Sequence, residues 1–117
     1  MGTLTIVLRH PPYVAGSPVG EALRLAGAAL AEDLRVRLHL LDAAVELARR
    51  GHRVPEGAQD LEALLEELMA CGLEVQACGL ALDARGLDEA ELIPGVARGS
   101  MRALVAWLRE SDQVLSF

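Results

Sequence analysis

The chemistry open to this 117-residue chain starts with its two cysteines, Cys71 and Cys78. Cys78 falls where a short apolar run, residues 73–78, gives way to a helix predicted from Gly79 to Arg85. A thiol at such a junction faces unpaired backbone N–H groups and the positive end of the helix dipole, which stabilise its thiolate. A thiolate there can attack sulfur, hold a sulfane sulfur as a persulfide, or be oxidised. Asp83 and Arg85 follow on the same predicted helix. Arg85 can lower the thiol pKa or hold an anionic sulfur species. Two plainer readings stand beside these: Cys78 as a small packed hydrophobe, and Asp83–Arg85 as a solvated local pair.

The other reactive types carry less. Cys71 lies on or beside the apolar stripe of its helix and is expected in the core. The two cysteines have neither CxxC nor metal-ligand spacing. His10, His39 and His52 form no HxxH, HxxxH or Cys/His pattern, so neither a metal nor a cofactor is expected. His10 lies at a strand end and can face the site, His39 is on the polar side of its strand, and His52 is in a loop. Each is expected to be partly exposed. Gly16, Gly20 and Gly27 make no GxGxxG, and the chain has no Lys to serve a phosphate loop.

The elements that must position these residues read as alternating strands and helices. Residues 3–8 are short, rich in β-branched types and nearly continuous in apolar character, as in a strand covered on both faces. Pro11 and Pro12 exclude regular structure after it. Ser17-Pro18 starts a helix carrying Val19, Ala22, Leu23, Ala26, Ala29 and Leu30. Residues 34–41 alternate, which predicts a strand with one less protected face, near an edge. Asp42 is placed to cap a short helix ended by Gly51. Asp60 caps the cleanest stripe of the chain, Leu61, Leu64, Leu65, Leu68 and Met69, stopped by Gly72. Residues 73–78 are the third strand, Gly86 stops the helix after it, and Ser100 caps a last helix with Met101, Leu104, Val105 and Leu108 on one face. Residues 113–117 are the fourth strand. The expected fold is α/β, three-layered, a mainly parallel β-sheet with helices on both faces, in a single domain over residues 1–117. Ligands in such sheets sit beyond the carboxyl ends of the strands, which selects residues 9–16, 41–42 and 78–86.

Composition narrows the classes further. A net charge of −6 argues against a nucleic-acid-binding surface, and no apolar run is long enough for a membrane span. Two cysteines cannot staple a small secreted fold, and no secretory leader is evident, so a cytoplasmic protein is expected. Leu and Ala supply 41 of the 117 residues. A domain this small has limited interior, so the aliphatic excess predicts subunit contact surface.

The order of several segments resembles the DsrE/DsrF-like family, which includes TusD-like and YchN-like sulfur-relay proteins. The segments are Pro12-Tyr13, Leu23-Arg24-Leu25-Ala26, Arg37-Leu38-His39-Leu40, Asp42-Ala43-Ala44-Val45 and Pro55-Glu56-Gly57. Cys78, Asp83-Ala84-Arg85-Gly86, Leu92-Ile93-Pro94-Gly95-Val96 and residues 111–117 complete the set. The resemblance implies homotrimers or homohexamers. It also implies that Cys78 matches the cysteine at which TusD-like members carry a persulfide between a sulfur-donor and a sulfur-acceptor protein. Pro12 and Tyr13 would then shape the mouth of the pocket. Ala81 stands where YchN-like members often have a second cysteine, which disfavours a dithiol mechanism and leaves single-cysteine sulfur carriage. Val14 stands where those members tend to have Gly. The alternative is an oligomeric binding or scaffold module with Cys78 as a packed thiol.

Overall fold

A computed structural model describes residues 2–117. Its elements are β1 (Thr3–Leu8), α1 (Val19–Ala31), β2 (Arg35–Leu40), a 3-10 turn (Asp42–Ala48) and α2 (Leu61–Ala70). They continue with β3 (Glu74–Cys78), α3 (Gly79–Ala84), a short 3-10 turn (Glu89–Glu91), β4 (Ala97–Gly99), α4 (Met101–Glu110) and β5 (Gln113–Ser116). The strands form one sheet in the order β4-β3-β2-β1-β5, every pair parallel. Helices cover both faces, as expected of a chain in which each parallel neighbour needs a crossover. No helix among the described residues is long and apolar enough to cross a membrane.

Local signals act where the sequence places them, with small shifts. Asp60 accepts a hydrogen bond from the Ala63 N–H at 3.0 Å, and Ser100 does the same for Ala103 at 3.0 Å. Those contacts satisfy donors that a helix start leaves open. Ser17 stands one residue further out, because Pro18 takes the N-cap position of α1. The Ser17 hydroxyl instead ties the loop to the helix, donating to the Pro11 carbonyl at 2.8 Å. Asp42 is not a cap: Leu41 occupies that position, and Asp42 opens the 3-10 turn with φ +50°.

Two expectations about the sheet are corrected. The sheet has five strands rather than four, because residues 97–99 pair with Gln76–Cys78. Three residues containing Arg and Gly show no alternation, so the strand exists through its partner alone. The second correction concerns β2, which is the central strand and not near an edge. Its polar side chains are covered: Arg37 is 3% exposed and His39 is fully buried, not partly exposed as its type suggested.

Trp107 of α4 provides that cover. The Arg37 guanidinium lies 5.4 Å from the centre of the Trp107 ring and bonds Glu110 at 3.1 Å, with Glu74 at 3.6 Å. His39 meets the same ring edge-on at 6.3 Å. Gln76 on β3 donates its amide N–H to His39 Nδ1 at 2.8 Å, so the neutral ring carries its proton on Nε2, which has no partner. Burial pushes the His39 pKa down from 6.5 to about 4. The unfolded chain therefore binds a proton between those values that the folded chain refuses. Stability is expected to be complete above pH 6.5 and to fall by about 2–3 kcal/mol as pH drops to 4. Urea titrations across that range check this, and His39→Gln should flatten the slope attributable to the imidazole.

Candidate functional site

The carboxyl ends of β1, β2 and β3 carry two separate groups of polar residues. The first is built on the loop after β1. Tyr13 sits there with φ +67°, a conformation a bulky residue adopts only when its surroundings hold it. Its hydroxyl is the hold: it accepts from the Leu61 N–H at 3.0 Å and donates to His52 Nδ1 at 2.9 Å. His52 in turn donates from Nε2 to the Leu47 carbonyl at 3.0 Å. Partial burial raises the Tyr13 pKa, so the phenol stays protonated and its donor role is kept. Glu62 anchors the other side, accepting from the Gly51 and His52 backbone N–H groups at 3.0 and 2.8 Å. Those bonds, the one from His52 first, lower its pKa.

This network walls a cavity of about 350 Å³ lined by Pro11, Pro12, Tyr13, Glu46, Arg49, Gly51, His52 and Arg53. Pro12 and Tyr13 thus do line an opening at the strand ends, while Cys78 is not among its lining residues. His10 is exposed on the turn after β1 and lines neither this cavity nor the groove described below.

The second group surrounds Cys78, the last residue of β3 and the N-cap of α3. The thiol residue is 5% exposed, whereas Cys71 at the C-cap of α2 is exposed. The expected core position of Cys71 is therefore corrected. The stripe it was assigned to ends at Leu68, and Cys71 stands past the last buried residue of α2. Cys78 pairs with Gly99, and the preceding pair in the register is Ala77 with Arg98.

From that position Arg98 reaches across to α3. It forms a two-pronged contact with Asp83, at 3.0 and 2.8 Å, and its guanidinium lies directly over Gly79. A Cβ on Gly79 would stand 2.8 Å from that guanidinium. Asp83 is held below the usual carboxylate range by the Arg98 hydrogen bonds. Arg98 is raised, first by its hydrogen bonds to Asp83. Arg85 and Gly86 close the opposite end of α3, about 9 Å along the axis from its start, with Gly86 at φ +65°.

Sequence reasoning thus names Cys78 and Asp83 of this group but misses Arg98, and it leaves His52 of the first group unassigned. No local signal links Arg98 to Cys78. Only the pairing of a three-residue strand brings Arg98 to Gly79 and Asp83 of α3.

A groove of about 620 Å³ lies elsewhere, at the β3–β4 edge between Met69, Leu73, Ile93, Pro94 and Trp107. Cys78 does not line it either.

An all-parallel five-stranded sheet with helices on both faces defines a small α/β protein, with a cysteine at one strand end. The family model for the DsrE/DsrF-like family matches residues 3–117, and the chain belongs to that family. It is 40% identical to an uncharacterised protein of Methanopyrus kandleri over 114 residues, 97% of this chain and 93% of that one. An uncharacterised protein of Methanocaldococcus jannaschii is 35% identical over 97% of each chain. Among solved structures, the YchN protein of E. coli superposes with a TM-score of 0.90 at 35% identity, covering all of both chains. A Methanobacterium thermoautotrophicum protein of unknown function shares the fold, with a TM-score of 0.81 at 17% identity over the whole of both chains.

The Tyr13 hydroxyl is the one atom that serves both Leu61 and His52. Tyr13→Phe is expected to leave two polar groups without partners and to lower stability by about 1–3 kcal/mol, read from the urea midpoint.

Proposed function

We propose that the protein is a sulfur carrier that accepts a sulfane sulfur on Cys78 and passes it to a partner protein. The observation that carries this reading is the place of Cys78, at the end of β3 and immediately before the first turn of α3. Membership of the DsrE/DsrF-like family supports it. In the first step the Cys78 thiolate attacks the outer sulfur of a donor protein's persulfide. A new S–S bond forms on Cys78 as the donor's S–S bond breaks, and the donor leaves as a thiolate. An acceptor thiolate then takes the outer sulfur in the same way and regenerates Cys78. No net oxidant is consumed.

Incubation with a sulfane-sulfur donor is expected to add one sulfur atom to the intact mass. The adduct should be lost on reduction, absent in Cys78→Ala and retained in Cys71→Ala.

The 5% exposure of Cys78 favours a second reading, an oligomeric binding or scaffold module with a packed thiol. That reading requires no sulfur adduct, and a Cys78 that resists alkylation until the protein unfolds.

In either reading the protein assembles with copies of itself as a homotrimer or homohexamer. The support is the set of exposed apolar side chains on α4 and β5: Met101 is 57% exposed, Val105 50% and Val114 47%, and Leu108 and Leu115 are exposed too. The family resemblance supplies the subunit number. Burying such side chains is worth about 25 cal/mol per Å², so leaving them wet is costly. The wild type is expected to elute as an oligomer by light scattering, and Val105→Asp to shift it to monomer. A stable wild-type monomer would remove this part of the reading.

A further inference from the structure

Residues 49–53, Arg-Arg-Gly-His-Arg, carry three of the 11 arginines of a chain whose net charge is −6. Their backbone is pinned from two directions. Arg49 pairs antiparallel with Leu92, and the Arg50 N–H bonds the Glu91 carbonyl at 2.8 Å while the Ala48 carbonyl accepts from Ile93 at 2.8 Å. On the α2 side, Glu62 takes the N–H groups of Gly51 and His52. Arg49 and Arg53 are thereby both set in the wall of the cavity of about 350 Å³ beside Tyr13. Arg50 does not line it, and its guanidinium bonds the Ala90 carbonyl.

Hydrogen-bonding capacity in that wall is unevenly spent. The Tyr13 hydroxyl and both ring nitrogens of His52 already serve each other, Leu61 and Leu47. Glu46 is turned to Arg49 at 3.4 Å, and Glu91 stands 4.0 Å from the same guanidinium. Arg53 has no carboxylate within 4.0 Å among the described residues. The lining thus sets two guanidinium groups against the single carboxylate of Glu46, and the charge of Arg53 is left over. Pro11 and Pro12 supply an apolar wall.

Size and charge together choose the ligand. A cavity of about 350 Å³ is of small-molecule size. One surplus guanidinium matches one oxyanion head, and its planar fork suits carboxylate and phosphate alike. The acidic charge of the chain as a whole disfavours a polyanion. A bare inorganic ion would leave the proline wall in water, whereas an apolar body would cover it.

We propose that this cavity binds a small organic anion, with its carboxylate or phosphate-ester head on Arg53 and its apolar body against Pro11 and Pro12. Cys78 does not line the cavity, so the inference is independent of sulfur carriage.

The test is ligand-observed saturation-transfer NMR on the full chain, with benzoate, phenyl phosphate and the neutral benzamide as probes. Acetate and inorganic phosphate are titrated as competitors of benzoate. Benzoate or phenyl phosphate should show saturable transfer to its ring protons, and benzamide should bind at least about tenfold more weakly. Arg53→Gln should weaken the bound anion by about tenfold, and Arg53→Lys, which keeps the charge but not the fork, by less. Arg102→Gln, an exposed arginine of α4 outside the cavity, should bind as the parent does. The stronger of the two probes assigns the head group, a carboxylic acid or a phosphate ester, and either supports the proposal. Absence of saturable transfer from both anions overturns it. So does an affinity unchanged in Arg53→Gln, or benzamide binding as tightly as benzoate. Acetate or inorganic phosphate displacing benzoate at equal concentration also overturns it, since the proline wall would then contribute nothing.

Discussion

Arg37 takes a full positive charge into the middle of a five-stranded sheet, and a buried charge is tolerated only when it is paired and hydrogen-bonded. Trp107 offers its ring face, while Glu110 and Glu74 bring opposite charge. Three of these four residues come from two elements far apart in sequence, β2 and α4. Satisfying Arg37 therefore fixes where α4 crosses the sheet. The Trp107 ring that covers Arg37 also covers His39, whose own partner is Gln76 on β3. One face of the sheet is consequently polar beneath a single helix, and the other is packed with aliphatic side chains.

Much follows from where α4 is held. The helix turns Leu104 inward and leaves Met101, Val105 and Leu108 outside. The chain emerging from its end adds β5 along β1, with Val114 and Leu115 exposed. Asp112 at that junction accepts from the Thr3 N–H at 2.7 Å, tying the last strand to the first. The chain entering α4 is β4, and its register sets Arg98 against α3. The apolar outer surface is thus a consequence of one helix placement.

The Tyr13 network is independent of that placement. It joins the loop after β1 to the start of α2 through one hydroxyl and braces it with His52 and Glu62. Its cavity and the Cys78 group share the carboxyl edge of the sheet without sharing lining residues. This arrangement is consistent with a fold whose strand ends position several loops at once, each shaped by its own local bonds.

Most elements were legible in the sequence because their signals are local. Asp60 and Ser100 cap helices through hydrogen bonds spanning three residues, and Gly72 and Gly86 end helices through positive φ. The apolar stripe of α2 needs only helical geometry. Cys78 was legible as well, since a strand-to-helix junction is a local feature. What only the tertiary structure decided depends on contacts between distant segments. β4 is a strand because Gln76–Cys78 lies beside it. β2 is central despite two polar side chains because Trp107 covers them. Cys71 is exposed because it is the C-cap of α2, past Leu68, the last residue of the helix that the core covers. Arg98 reaches α3 because parallel register sets it opposite Ala77, on the face that α3 covers. The sequence by itself determined most of the elements and the place of Cys78 at a strand-to-helix junction; burial, strand order and the fifth strand required the fold, because solvent exclusion and strand pairing act through space rather than along the chain.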